Sequence, residues 1–127
     1  MYLLDSDCLI NFLNGDKRTV ETVSKIHKKE IATSVICIAE VLEGLYLLSD
    51  KRKTGEFMAF AAVIKVFSVD ERIAWEFART RGVLRKNGQL IDNFDFLIAA
   101  TCIAYDLTLV TGNLTHFGRI GGLKIYR

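Results

Sequence analysis

Two aspartates, Asp5 and Asp7, close the short apolar run at the head of the chain, MYLLDSDCLI, one residue apart. Further on, Glu40 interrupts the apolar stretch VICIAEVL, Asp95 opens DFLIAAT, and Asn113 follows LTLVTG. A carboxylate set among aliphatic neighbours loses hydration, a cost that a cation or a hydrogen-bond donor must offset. Carboxylates gathered in one crevice also repel one another, and a bound cation relieves both penalties. Oxygen donors without paired His or Cys favour Mg2+ or Mn2+ over zinc. Singly, each residue has a plainer use: Asp5 as a turn residue or cap, Asp95 as a first-turn acid, Glu40 as a solvated helix edge, Asn113 as a loop residue. Glu43, one turn beyond Glu40, is either such an exposed edge or a support for its neighbour.

The elements that must position these groups follow from hydrophobic spacing. Residues 2–4 read as a buried strand, 8–13 as a short helix closed by Asn14-Gly15, 19–29 as a second helix with lysines on one face, and 31–33 as a strand. Ser34 is placed to cap residues 35–48, expected to be the most amphipathic helix of the chain. A helix over 51–62 and a strand over 64–69 precede a long helix, 70–86, whose acids come first and bases last, as the helix dipole favours. Asp92 stands at the cap position of a helix over 93–105, and strands are expected at 107–110 and 123–126. Strands separated by helices need crossover connections. The expected fold is therefore α/β, a three-layer α/β/α sandwich with a mainly parallel central sheet, in a single domain over residues 1–127.

In such a sheet, ligands collect outside the carboxyl ends of the strands, where strand order reverses. If strands 2–4 and 107–110 are neighbours, Asp5 and the segment from Thr111 to Asn113 face one crevice. Glu40, about two turns into its helix, and Asp95, in the first turn of its own, can reach the same place.

Composition narrows the classes. Lys and Arg number 17 against 15 Asp and Glu, which lacks the strong basic bias of a nucleic-acid coat. A chain of 127 residues, half of them apolar, buries enough surface to fold without disulfides or a structural metal. Cys8, Cys37 and Cys102 are odd in number, lack CxxC spacing and lie among apolar residues, so they read as reduced thiols of a cytoplasmic protein. With acids where a signal peptide needs apolar residues, and no apolar run of bilayer length, neither export nor membrane insertion is expected.

Four segments taken together, LLDSDCLI, IAEVLEG at 38–44, DFLIAAT at 95–101 and LTLVTGNLTHF at 107–117, resemble the PIN-domain ribonucleases, in particular the VapC-type toxins of toxin–antitoxin modules. The resemblance implies that Asp5, Glu40 and Asp95 bind Mg2+ or Mn2+, with Asn113 as the fourth site position. Asparagine there, where the broader family often has aspartate, removes one negative charge. Thr111 and Asp7 match positions that support the site, and Asp92 would be a cap or a further supporting acid. Also implied are endonucleolytic hydrolysis of RNA, such as tRNA or another structured RNA, by a metal-activated water, a VapB-type antitoxin partner, a toxin homodimer and a toxin–antitoxin hetero-oligomer. Such chemistry needs no histidine pair, and the chain holds only His27 and His116.

RNA needs further cations. Arg79, Arg81, Arg85 and Lys86 gather at the end of one helix, where they either complete the dipole or touch phosphates, and His116 is near enough to the site for RNA contact. The excess of apolar residues around 35–48 could form a groove for an antitoxin helix. Two alternatives stand beside this reading. DSDCL also fits the opening motif of haloacid-dehalogenase-like phosphatases, with Asp5 as nucleophile, although the later lysine and acidic pair of those enzymes have no place in residues 114–127. A non-catalytic RNA-binding PIN domain is the other.

Overall fold

Among the described residues, seven α-helices begin on a side chain that accepts a backbone N–H: Asp5, Asp16, Ser34, Asp50, Asp70, Asp92 and Asn113. Each cap satisfies an N–H that the first turn leaves without a partner, and is worth about 1 kcal/mol. The computed structural model describes residues 1–126. In order these form β1 (Tyr2–Leu4), α1 (Ser6–Leu13), α2 (Lys17–Ser24), β2 (Ile31–Ser34), α3 (Val35–Leu47), α4 (Lys51–Ala61), β3 (Lys65–Phe67), α5 (Glu71–Lys86), α6 (Asn93–Tyr105), β4 (Thr108–Val110), α7 (Leu114–Phe117) and β5 (Lys124–Tyr126).

The five strands pair in the order β3-β2-β1-β4-β5, all parallel. From β1 the chain steps outward through β2 to β3, then returns past β1 to β4 and β5. Right-handed crossovers in opposite directions put the early and late helices on opposite faces of the sheet. This is the three-layer α/β/α arrangement. Strand order reverses at β1, whose neighbour on one side is β2 and on the other β4.

Packing explains why the sheet is so apolar at its centre. Leu3, Leu4, Ala32 and Leu109 are fully buried, and Phe57, Phe96 and Phe117 fill the space between sheet and helices. Strands covered on both faces read as continuous apolar runs rather than alternating ones, as YLL and TLV do. Cys8, Cys37 and Cys102 are free thiols within this core, and burial pushes Cys8 up to about 12 and Cys37 up to about 11, so neither forms a thiolate at neutral pH. Among the described residues no helix is long and apolar enough to cross a membrane.

Three expectations need correction. The helix expected over 19–29 is α2, which starts at Lys17 behind the Asp16 cap and ends at Ser24; a single 3-10 turn, Lys28–Glu30, then leads into β2. Ile26 is buried outside the helix, so its apparent helical spacing reflects chain direction rather than helix. Second, α3 is not sharply two-faced: Cys37, Val41 and Leu45 are buried, while Tyr46, Leu47 and Leu48 at its end are exposed. Third, α7 was not anticipated, because four residues are too few to show a helical period.

Candidate active site

The register of the central strands sets the site. Leu4 pairs with Val110, and the N–H of Asp5 donates to the carbonyl of Val110 at 3.3 Å. The residues that follow each partner, Asp5 and Thr111, therefore leave the sheet side by side at its carboxyl edge. Asp5 caps α1 by accepting from the Cys8 N–H at 2.7 Å. The plain cap reading and the functional one are thus both met by one side chain.

Asp5 is only 3% exposed. Burial pushes its pKa from 3.8 to about 6; the Thr111 hydroxyl and the Cys8 N–H pull it back, while the negative charges of Asp7 and Asp95 add to the rise. Glu40 is half-buried and accepts from the Ser6 hydroxyl at 2.9 Å. Its pKa is also raised, first by burial and then by Asp95, Asp92 and Asp7, against the lowering effect of Ser6. Asp95 is raised by burial, lowered by His116, and raised again by Asp92 and Asp7. Five acids from three regions of the chain thus lie in one electrostatic environment.

None of the five forms an ion pair with Lys or Arg among the described residues; the sole basic partner is His116, whose Nδ1 lies 2.6 Å from Asp95 Oδ2. Desolvated carboxylates that repel each other and lack a cationic neighbour are an oxygen-donor set suited to a hard divalent ion. As the side chains stand, however, each is turned to a donor of its own, Asp5 to Cys8, Glu40 to Ser6 and Asp95 to His116. Among the described residues no three His, Cys, Asp or Glu side chains enclose a metal position in this arrangement. The residues fit such an ion in the chemistry of their donors.

The other expected residues divide. Thr111 is buried beside Asp5 and its hydroxyl accepts the Asn113 N–H at 3.0 Å. The Asn113 side chain accepts the His116 N–H at 3.3 Å, capping α7, so its amide oxygen is spent on holding the helix that carries His116. Asp92 caps α6 from the rim, and Asp7 is exposed on the first turn of α1. Glu43 is exposed, away from these hydrogen bonds. Of the basic group, Arg81 donates to the Asn93 side chain at 3.0 Å, next to Asp92, and so reaches the rim. Arg79 is spent on Glu76 at 2.7 Å, and Arg85 and Lys86 are exposed at the far end of α5. Ser6 was missed. Its place between Asp5 and Asp7 was the available signal, but no spacing pairs position 6 with position 40.

A family model described as PIN domain matches residues 2–123. The chain belongs to the PIN-domain family. Ribonuclease VapC1 of Methanocaldococcus jannaschii is 31% identical over 126 residues, spanning 98% of this chain and 85% of the relative. Ribonuclease VapC10 of Mycobacterium tuberculosis is 32% identical over 125 residues, spanning 98% and 91%. Relatives at this level make it a VapC-type PIN domain. Among solved structures, VapBC2 from Rickettsia felis bound to a DNA fragment from their promoter superposes with a TM-score of 0.87 at 25% identity, covering 98% of this chain and 96% of that one. A DNA-bound VapBC from Salmonella typhimurium, at 23% identity and a TM-score of 0.89, shares the fold. Membership of this PIN family sets aside the dehalogenase-like phosphatase.

Proposed function

We propose that this PIN domain is a metal-dependent endoribonuclease, the toxin of a type II toxin–antitoxin pair acting in the cytoplasm on a structured RNA such as tRNA. One observation carries the reading: Asp5, Glu40 and Asp95, from three separate segments, share one electrostatic environment at the strand ends without a Lys or Arg partner. Support for RNA as substrate comes from the VapC relatives, which are named ribonucleases.

Asp5, Glu40 and Asp95 would hold Mg2+ or Mn2+. When bound, such an ion supplies Lewis acidity toward a phosphodiester and makes a water more acidic. The chain's own residues do the rest. Cys8 N–H and Thr111 fix Asp5, Ser6 steers Glu40, and His116 steers Asp95. Asn113 acts indirectly, by capping the helix that presents His116. Asp95 or Asp7, which lies exposed at the rim, would receive the proton of the attacking water, and the cleavage would leave a 5′-phosphate and a 3′-hydroxyl.

A VapB-type antitoxin is proposed as partner, in a hetero-oligomer built on a toxin homodimer. The consecutive exposed residues Tyr46, Leu47 and Leu48 give an antitoxin helix an apolar surface to cover. Support for such assembly comes from the matching solved structures of VapBC complexes. Purified protein should cleave RNA with Mg2+, lose the activity in EDTA, and lose it on Asp5→Asn or Asp95→Asn with the fold intact. Undiminished cleavage in EDTA would sink the mechanism, and fold-intact protein inert toward RNA would favour the non-catalytic PIN domain.

A further inference from the structure

A cleft of about 650 Å³ opens directly beside the acids and is not used by the chemistry above. Its near wall is Asp7, Thr111 and Asn113, residues of the site itself; its far wall comes from the end of α1 and from α2, with Asn11, Arg18 and Thr22, and Tyr126 also lines it. The volume falls in the range of about 300–1,000 Å³ that encloses small-molecule ligands. Its polar groups are of a particular kind. Among the described residues, Arg18 is the only Lys or Arg that lines it, and neither the Arg18 guanidinium nor the Asn11 amide has a hydrogen-bond partner there. The one acid on the far wall, Asp16, is already satisfied by Thr19, which gives it a backbone N–H at 3.0 Å and a hydroxyl at 2.8 Å.

A free guanidinium suits a phosphate, and a free amide presents both a donor and an acceptor to the edge of a base. Sequence-selective RNA recognition works on unstacked bases presented in this manner. We propose that the cleft holds one unstacked nucleotide of single-stranded RNA next to the cleaved bond, with Arg18 on its phosphate and Asn11 on the edge of its base. The juxtaposition behind it is a cleft of mixed polar and apolar lining whose near wall is the acid site and whose far wall carries the unpaired Arg18. The proposal rests on the ribonuclease reading for its orientation, since a strand with its scissile phosphate at the acids leads its next nucleotide into this space.

The test compares wild type with Arg18→Ala, Arg18→Lys and Asn11→Ala. Affinity for short mixed-sequence single-stranded RNA is measured in EDTA across a salt series, and base preference around the cut is mapped with Mg2+. Arg18 is exposed on α2, so the variants should melt with wild type. Arg18→Ala should weaken binding about tenfold and flatten the log–log salt slope by about 0.7, the value for one contact to a single strand. Arg18→Lys should restore the slope but not the full affinity, and Asn11→Ala should erase base preference at one position beside the cut. Cleavage by wild type with affinity, slope and base preference untouched in every variant would overturn the cleft and leave the ribonuclease standing. Binding that depends on Arg18 with no cleavage would do the reverse. If wild type neither binds nor cleaves RNA, both fall.

Discussion

His116 on α7 and Asp95 on α6 meet across 2.6 Å, Nδ1 to Oδ2, where two helices of different origin converge on the carboxyl edge of the sheet. With Asp95 ionised, only the tautomer carrying the proton on Nδ1 makes this bond. The ring is 39% exposed and the carboxylate 15%, so the contact lies at the boundary between solvent and site. It occupies Oδ2 of Asp95 and leaves Oδ1 without a hydrogen-bond partner among the described residues.

Removing that restraint should cost activity without costing the fold. His116→Ala should lower cleavage about 10- to 100-fold, the usual loss when a group that orients a metal ligand is deleted. His116→Asn, whose amide nitrogen falls near the position of Nδ1, should recover part of it. Equal losses in both variants would assign His116 to direct RNA contact instead, because an amide replaces the hydrogen bond but not the ring. Single-turnover rates with melting curves for each variant decide the matter.

Asp5 links the site to stability. Its pKa is raised from 3.8 to about 6, so the folded state holds this proton more tightly than the unfolded chain. The stabilisation is fully present below pH 3.8 and is lost as pH rises through 6, by roughly 3 kcal/mol for a shift of about two units. Glu40 and Asp95 shift in the same direction. Exposed Asp16, Asp70 and Asp106 are lowered and act oppositely, their support fading as pH falls toward and below their own range. Without divalent ions, wild type should therefore lose stability from pH 5 to pH 7. Asp5→Asn keeps the oxygen that caps Cys8 and should flatten that loss while abolishing cleavage. A variant less stable than wild type at pH 7 in EDTA would contradict the burial argument. Chemical denaturation at the two pH values reads it.

A divalent ion should reverse this penalty. Mg2+ or Mn2+ at 100 times its dissociation constant should stabilise wild type at pH 7 by about 2.7 kcal/mol. The gain should vanish in Asp5→Asn and shrink in Glu40→Gln. Calcium, which accepts oxygen ligands but tolerates looser geometry, should stabilise without supporting cleavage to the same extent. A melting temperature indifferent to Mg2+ at millimolar concentration would remove the assignment of these acids as ligands.

Much of this site was legible in the residues because strands and acids alternate in a way that few folds allow. Crossover connections gave a parallel sheet, and Asp5 and Thr111 were expected to meet only if strands 2–4 and 107–110 were neighbours, the condition that the register of Leu4 with Val110 meets. Caps were legible for the same local reason: Ser34, Asp92 and Asp5 each precede an apolar periodic segment. What escaped depended on contacts distant in sequence. Ser6 with Glu40 spans 34 positions and His116 with Asp95 spans 21, and neither leaves a periodic trace. The far wall of the cleft escaped for a different reason. Arg18 falls before the helix expected over 19–29 and entered no reading of the sequence; the fold places it in one cleft with Asn113.

Thr111 offers a final test that separates positioning from charge. Its hydroxyl lowers the Asp5 pKa and also accepts the Asn113 N–H at 3.0 Å. Thr111→Val keeps the shape but strips both functions, leaving a partly buried N–H without its acceptor at a cost of about 1–3 kcal/mol. With the hydroxyl gone, Asp5 should rise further above 6, so less of it is ionised at any given pH. The acid limb of the rate profile should accordingly move to higher pH, while the rate well above that limb falls less. Thr111→Ser should restore the limb. If Thr111→Val loses stability but leaves the limb in place, the hydroxyl serves the loop and not the carboxylate. The pH profile of single-turnover cleavage, measured on the three proteins, distinguishes the two.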